Sequence, residues 1–346
     1  MGKVKRDSGL SDLKRALKSG EPGHLYVFYG QESYLREYYL GEIKSCLVPP
    51  GLEAFNHIRL EGRGLTPERL FEAVESLPAF APRKLVTVRD LDVCKPGEAL
   101  KKALEHLLPD LPAPVCLVFI YDTIPFKPDA RTKLYGLLAA AGHIVEFTPQ
   151  EAADLVPWIT RHFKAHGKQI DRKLCEYLLF LCGGLMAGLK NEIGKIAAFA
   201  PGAQITREDI DAVALPVLDA VVYQMTDAIA RREWTRAMTV LLKLREMREE
   251  PVELLAALGR SLRGLYAARL ALETRRGARD VMQLMGYRSS YPAERLMQAA
   301  RQRSSAWCRR AVSLCAQADL SLKTSYGRGD RGRIIEWVIA SLENEA

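Results

Sequence analysis

The sequence predicts an α/β domain, a parallel sheet with flanking helices, followed by two all-α domains. In the first 147 residues, short apolar runs of strand length alternate with segments of helical periodicity, which is typical of a parallel sheet covered by helices. Beyond Thr148-Pro149 the strand signal stops and the helical pattern continues. Because Pro216 interrupts this helical part, we expect three domains, at residues 1–150, 151–215 and 216–346.

The first strand and the helix after it have the outline of a P-loop. Leu25–Tyr29 is an apolar, β-prone run, Gly30 follows, and a helical pattern begins after Gln31-Glu32-Ser33. A working P-loop needs a second Gly followed by Lys and Ser or Thr, and Gly-Lys-Ser/Thr occurs nowhere in the chain. Glu32 also places a negative charge where a phosphate would sit. We therefore expect a degenerate P-loop that binds no nucleotide cofactor.

The other strands and helices of this domain follow from the same patterns. Further strands are expected at 56–60, 85–88, 115–121 and 143–147, with helices at 11–19, 33–47, 99–108 and 130–141. Another helix begins at Thr66-Pro67-Glu68, with an N-cap Thr, a Pro at the first helical position and an acid in the first turn. Its apolar face would comprise Leu70, Phe71, Val74 and Leu77, and Pro78 would end it. In the helix expected at 33–47, the residues that would face the sheet are Leu35, Tyr38, Tyr39 and Ile43.

The remainder of the chain is predicted to be helical. The smaller unit would hold helices at 154–166, 171–182 and 186–200, and a short one opened by a capping box at Thr206–Asp209. The last domain would hold helices at 219–231, 233–246, 253–273, 293–303, 306–323 and 334–343.

Composition excludes several classes of protein. With 48% hydrophobic and 27% charged residues the chain is typical of globular proteins, and no apolar run is long enough to span a membrane. The N-terminal residues lack the apolar core of a signal peptide, so we expect a cytoplasmic protein. The seven cysteines show no C-x-x-C spacing and are interpreted as reduced thiols. His162 and His166 lack the Glu of a zincin motif, and no metal site is expected.

Catalytic motifs are missing as well. The sequence contains no G-x-S-x-G and no H-E-x-x-H, so nothing in it indicates hydrolysis. Gly327–Gly332 formally matches G-x-G-x-x-G, but it follows a helix rather than a strand, and a basic loop is the better interpretation. The positive charge lies in the last third, where residues 216–346 hold 22 Lys and Arg against 15 Asp and Glu. Such an excess suits a phosphate-bearing partner, or is only a solvated face.

Several stretches together resemble one protein family. They are Leu25–Glu32 running on to Leu35-Arg36-Glu37, Ser76–Val86, Val118–Asp122, Lys133–Tyr135, Lys190–Ile196 and Ala318–Thr324. In this order and over nearly the whole chain, they resemble the delta subunit of the bacterial DNA polymerase III clamp loader, a relative of the AAA+ ATPases. One departure is Cys182-Gly183-Gly184-Leu185, where the family usually has Asp before the Leu. It touches no expected site.

The resemblance implies a function. The first domain would be AAA+-like, and the last would form a helical collar with the other loader subunits, gamma/tau and delta prime. The delta subunit binds the ring-shaped sliding clamp, the beta subunit, and holds one of its interfaces open for loading on primed DNA during DNA replication. It has no intrinsic ATPase activity and is a component of the DNA polymerase III holoenzyme, a DNA-directed DNA polymerase and hence a nucleotidyltransferase complex.

The turn at Leu77, Pro78, Ala79 and Phe80 is the expected clamp-binding element. Leu77 and Phe80 flank Pro78 at the end of an amphipathic helix, where an exposed Phe requires an explanation. One interpretation is an apolar plug that enters a hydrophobic cleft on the clamp. The other is that Phe80 packs back on its own domain.

The expected DNA-binding residues are Tyr326, Lys323, Arg328 and Arg331. An aromatic ring between cations on a glycine-rich loop can stack on a base while the cations contact phosphates. Alternatively, Tyr326 closes the collar core beside Trp337. Two other functions remain open beside clamp opening. An active ATPase would need a lysine near Gly30, and a nucleic-acid-binding AAA+-like adaptor would explain the basic last domain but not the Leu77–Phe80 turn.

Overall fold

A computed structural model describes residues 8–246, 250–287, 289–324 and 333–343. The chain divides into two compact units. The first comprises the residues up to Pro149 together with Leu185–Ala187, and the second comprises Gln150–Gly184 and the chain from Gly188 onward. Whether the helical part consists of two domains that meet near residue 216 stays a prediction.

The first unit contains a five-stranded, wholly parallel sheet. Its strands are β1 Leu25–Tyr29, β2 His57–Glu61, β3 Lys84–Arg89, β4 Val115–Ile120 and β5 His143–Glu146. Its helices are α1 Ser8–Ser19, α2 Ser33–Leu47, α3 Glu53–Asn56, α4 Pro67–Glu75, α5 Glu98–Leu107 and α6 Lys133–Ala141, and a 3₁₀ turn spans Leu108–Asp110. The strand order is β2-β3-β4-β1-β5. In the register of the central strands, Val27 lies opposite both Phe119 and Ile144.

Both faces of the sheet are covered, because side chains alternate along each strand. On one face Val27, Val86 and Phe119 pack with Leu70 and Leu104 of α4 and α5. On the other face Phe28, Leu85 and Val118 pack with Leu13 of α1 and Ile43 of α2. The predicted α/β fold, a parallel sheet with helices on both faces followed by a helical region, is thus confirmed.

Three local predictions differ from the structure. Residues 53–56 form the short helix α3, so β2 begins at His57. Helix α4 ends at Glu75, two residues earlier than predicted, and Leu77 lies beyond it instead of on its apolar face. Tyr38 is 48% exposed. The buried positions of α2 include Arg36 and Leu40, because the spacing of 36, 40, 43 and 47 is the one that faces the sheet.

The described part of the second unit is helical. Its helices are α7 Ala152–Ala165, α8 Arg172–Cys182, α9 Met186–Phe199, α10 Arg207–Val213, α11 Leu218–Ala230, α12 Trp234–Glu246, α13 Pro251–Glu273, α14 Ala278–Met285, α15 Ser290–Ala300, α16 Ser305–Lys323 and α17 Arg333–Glu343. The capping box of α10 is present, with Thr206 and Asp209 bonding each other's backbone N–H. The sequence analysis missed α14, a short helix between Gly277 and Gly286.

Helix α13 is the centre of the larger helical core, where α11, α15 and α16 pack against it. All seven cysteines are unpaired. Among the described residues no cluster of three or more His, Cys, Asp or Glu side chains could hold a metal ion. Within the same residues no single helix is long and apolar enough to cross a membrane. Helices α10 and α11, which meet at an angle of 114°, reach the required length and apolar composition only when they are taken together.

Candidate functional site

The turn between α4 and β3 exposes two large apolar side chains. Leu77 is 84% exposed and Phe80 is 93% exposed, so Phe80 does not pack back on its own domain. Phe80 also has a φ of 54°, in the left-handed region. For a residue with a Cβ this conformation costs about 1–2 kcal/mol, so the surrounding structure must hold it in place.

Asn56 holds this turn from beneath. Its side chain is fully buried at the end of α3. The Ala79 N–H donates to Asn56 Oδ1 at 2.8 Å, and Asn56 Nδ2 donates to the Ala79 carbonyl at 2.8 Å. Asn56 Nδ2 also donates to the Leu52 carbonyl at 3.3 Å. Because one amide satisfies both backbone groups of Ala79, the residue before Phe80 has little freedom to move.

Lys84 fixes the other end of the same turn. This first residue of β3 is fully buried, and its ammonium group lies at the C-terminal end of α4. Nζ donates to the Ala73 carbonyl at 2.7 Å, to the Ser76 carbonyl, and to Ser76 Oγ at 2.8 Å. All three donors of the ammonium group are therefore used, two of them on carbonyls at the end of the helix and one on the Ser76 hydroxyl. Burial lowers the pKa of Lys84 to about 8.

The Leu77–Phe80 turn is thus an exposed apolar pair on a fixed support. Between its two large side chains Pro78 and Ala79 are half-buried. The four turn residues were predicted from the sequence, whereas Asn56 and Lys84 were not. Asn56 lies 23 residues from Ala79. A signal in the sequence was Lys84 itself, a lysine directly before the apolar residues Leu85 and Val86.

At the carboxyl end of the sheet, the glycine turn after β1 packs against Phe147, the residue that follows β5. Gly30 has a φ of 117°, and a Cβ there would lie 2.3 Å from the Phe147 carbonyl oxygen. The Glu32 N–H donates to that same carbonyl at 3.0 Å. Glu32 is fully buried, and its Oε2 accepts the Met186 N–H at 3.2 Å. A turn amide that could face a phosphate in a P-loop is therefore used within the protein.

Ion pairs occupy the rest of this edge. Asp122, just after β4, pairs with both Arg36 and Arg89. Arg36 Nη1 also donates to the Gly30 carbonyl at 2.8 Å, and Arg89 Nη2 contacts both carboxylate oxygens of Glu37 at 2.9 Å. Arg36 is almost completely buried. Since the charged groups here neutralise one another, the edge presents no free cluster of cations to a nucleotide.

Asp90 closes the loop that follows β4. Its carboxylate accepts the N–H groups of Asp122 at 2.8 Å and of Thr123 at 2.9 Å, and the Thr123 hydroxyl at 2.7 Å. Burial raises the pKa of Asp90, but the hydrogen bonds from Thr123, Asp122 and Ile124 outweigh it, so the pKa lies below its usual value. This loop is thereby tied to the end of β3.

Of the expected DNA-binding residues, only Lys323 is among the described ones. It lies in the last turn of α16, and its Nζ is 2.7 Å from Asp319 Oδ2. Tyr326, Arg328 and Arg331 lie outside the described residues, so both interpretations of Tyr326 stay predictions.

Comparison with known proteins indicates one family. The family described as "DNA polymerase III, delta subunit" matches residues 26–148, and "DNA polymerase III delta subunit, C-terminal domain" matches residues 219–342. The DNA polymerase III subunit delta of Bacillus subtilis (strain 168) is 24% identical over 341 residues, 96% of each chain. The probable DNA polymerase III subunit delta of Aquifex aeolicus (strain VF5) is 24% identical over 274 residues, 77% of each chain.

A solved structure agrees in fold. The DNA clamp loader delta protein of Bacillus subtilis aligns with a TM-score of 0.50 and 21% identity. The alignment covers 97% of this chain and 99% of that one.

Proposed function

Because the chain belongs to the DNA polymerase III delta-subunit family, we propose that it binds the sliding clamp through the Leu77–Phe80 turn and opens it for loading on primed DNA. The observation that carries this proposal is Phe80, a 93% exposed aromatic in a left-handed conformation. Strain of this kind persists only where the surrounding structure holds it, as Asn56 and Lys84 do here, and it is concentrated at functional sites.

The turn suits a hydrophobic cleft on a partner. Full burial of a Phe or Leu side chain contributes about 1.5–3 kcal/mol. Because the backbone is already fixed, little conformational entropy would be lost on binding, and preorganisation of this kind raises affinity. Leu77 and Phe80 would be the central anchors, while Pro78 and Ala79 shape the turn between them.

The other parts of the proposal concern the assembly. We propose that the protein works in the cytoplasm within a clamp loader, its last helices forming a collar with gamma/tau and delta prime. It hydrolyses no ATP itself, which the self-paired charges around Asp122 support. Primer–template DNA would contact the Tyr326 loop through Tyr326, Lys323, Arg328 and Arg331.

The test is binding to isolated sliding clamp, without nucleotide, measured by calorimetry. The double variant Leu77→Ala/Phe80→Ala should bind roughly tenfold to a thousandfold more weakly while its melting temperature changes little. A matched control is Tyr38→Ala/Leu284→Ala, which removes an exposed aromatic and an exposed leucine elsewhere in the described chain. Equal affinity of the double variant and the wild type would reject the proposal in favour of the adaptor.

A second variant separates the turn's shape from its side chains. Asn56→Ala keeps Leu77 and Phe80 but leaves the Ala79 N–H and carbonyl without their partner. Each buried group left unpaired costs about 1–3 kcal/mol, so the turn should loosen. We expect weaker clamp binding by this variant at a temperature where it remains folded. Unchanged affinity would show that the side chains bind without a fixed turn.

A further inference from the structure

A basic cavity lies at the start of α16, in the second unit. Its volume is about 410 Å³, and its lining includes Arg232, Arg303, Trp307 and Arg310. Among the described residues, no Asp or Glu lines it. Trp307 and Arg310 are three residues apart in α16 and therefore share one face of the helix, and Arg303 directly precedes the N-cap Ser304.

Arg303 is the unusual member of this set. It is only 4% exposed. Nε donates to the Ala230 carbonyl at 3.0 Å and Nη2 to the Ile229 carbonyl at 2.7 Å, both at the end of α11. Its guanidinium carbon lies 4.1 Å from the centre of the Trp307 ring. No ion pair within the described ranges involves Arg303.

A buried cation without a carboxylate is uncommon, because charges taken out of water are normally paired. Arg36 in the first unit follows the rule, since Asp122 neutralises it. For Arg303 two carbonyl dipoles and the ring faces of Trp307 and Trp234 offset part of the charge, but no carboxylate does, and the neighbouring charge of Arg232 opposes it. Burial and this repulsion both lower the pKa of Arg303. An anion in the cavity would supply the missing charge.

The cavity also has the chemistry of a phosphate site. Ser304 caps α16, its Oγ accepting the Trp307 N–H at 3.2 Å, and the first turn of this 19-residue helix contains no acidic residue. Helix N-termini favour anions. Trp307 is half-buried, so part of its surface is accessible beside the arginines. Aromatic rings next to cations are typical of sites for single-stranded nucleic acid.

We propose that this arginine–tryptophan cavity binds a phosphate group of single-stranded DNA, with Arg232 and Arg310 contacting the phosphodiester chain and Arg303 supplying buried charge. The site lies at the opposite end of α16 from Lys323, because the helix spans roughly 27 Å between Ser305 and Lys323 at 1.5 Å per residue. It does not depend on the clamp-binding turn.

The test uses the full chain and a short oligothymidylate at low salt. Arg232→Glu/Arg310→Glu changes two exposed side chains and leaves Arg303, which holds the end of α11, in place. We expect at least tenfold weaker binding and a smaller slope of log affinity against log salt, by roughly 1.4 for two phosphate contacts. The control Arg276→Glu/Arg279→Glu makes the same charge change at exposed positions outside the cavity, and its affinity for the oligothymidylate should fall much less.

Three results decide the outcome. Equal losses in the two double variants would reject the proposal, since only the general positive field would then matter. The same comparison in a Tyr326→Ala background should preserve the difference, and its disappearance would assign the binding to that loop instead. The third result compares two ligands. Pyrophosphate could raise the melting temperature of the wild type but not of the Arg232/Arg310 variant, while both proteins bind oligothymidylate equally well. In that case the cavity binds free phosphate and the assignment to nucleic acid is wrong. Clamp binding should be unchanged throughout.

Discussion

The two ends of strand β3 use buried polar groups in opposite ways. At its first residue, Lys84 uses its ammonium group to support a turn that carries exposed apolar side chains. At its last residue, Arg89 pairs with Asp122 and Glu37, and the charged groups satisfy one another. Ligands of parallel sheets usually bind at the carboxyl ends of the strands. In this protein that end is closed, and the prominent apolar surface is at the amino end.

The difference shows how a domain with the outline of a nucleotide-binding fold can serve as a rigid support. The contacts of Arg36 and Asp122 tie together the ends of β1, β3 and β4. A sheet held rigid at one end can then present a strained turn at the other. Changes at the carboxyl end should therefore affect stability alone, and changes at the turn should affect partner binding.

The largest effect on stability is expected from Arg36→Met. It removes a buried guanidinium and leaves the Gly30 carbonyl unpaired, with Asp122 held by Arg89 alone. Breaking a buried ion pair costs about 3–5 kcal/mol of the free energy of unfolding. Because Asp122 keeps its pair with Arg89, we expect a loss near the lower end, about 3 kcal/mol. Urea unfolding should show the loss, and the exposed control Arg15→Met should show almost none. Clamp affinity of the folded variant should be unchanged. A parallel loss of affinity would mean that the two ends are coupled.

Lys84 gives the turn a pH dependence. Its pKa is about 8 in the folded protein against an ordinary 10.5, so between these values the unfolded chain binds more protons. Stability should consequently rise from pH 8 to pH 10.5, by as much as about 3 kcal/mol at 1.36 kcal/mol per unit. Lys84→Met lacks this titration, and subtracting its unfolding curve removes the contribution of all other groups. If the free energy of unfolding changed with pH in the same way in both proteins, the pH dependence could not be assigned to Lys84.

The sequence was informative wherever interactions are local. Thr66 and Thr206 cap their helices as predicted, because an N-cap is defined by residues three positions apart. The parallel sheet could be predicted because its central strands β1, β3 and β4 are buried along nearly their whole length and contain continuous apolar runs. Arg36 was missed because a charged residue within an amphipathic pattern is normally assigned to the solvent face.

The support of the turn could not be predicted for a different reason. Asn56 reaches Ala79 across 23 residues, and the pairing exists only once α3 and α4 are placed beside β3. Helix α3 itself is a single turn, too short for periodicity to reveal. The exposure of Phe80 likewise depends on where α4 ends, and that end was predicted two residues too late.

A smaller effect on stability, of opposite sign, is expected from Phe80→Asn. Asn adopts the left-handed conformation more readily than Phe, so the φ of 54° should cost less. Chemical denaturation should show a gain of up to about 1 kcal/mol, while clamp affinity falls at least tenfold. Leu77→Asn, at a position without this strain, should lose affinity with no gain in stability. Destabilisation by Phe80→Asn would show that the aromatic ring supports the fold.

The smallest expected effect is that of ATP with Mg²⁺, which should leave the melting temperature unchanged. The Glu32 N–H already donates to the Phe147 carbonyl, and the buried Glu32 carboxylate would repel a phosphate. Asp122 is paired with two arginines, so it is poorly placed to hold Mg²⁺. A ligand present at 100 times its dissociation constant stabilises by about 2.7 kcal/mol, so 1 mM ATP would reveal any site with a Kd near 10 μM. The contrary result would be a rise in melting temperature with ATP that is lost in Gly30→Ala or Arg36→Met variants that remain folded. It would show that the carboxyl end of the sheet still binds nucleotide, and the contrast between the two ends of β3 would then be wrong.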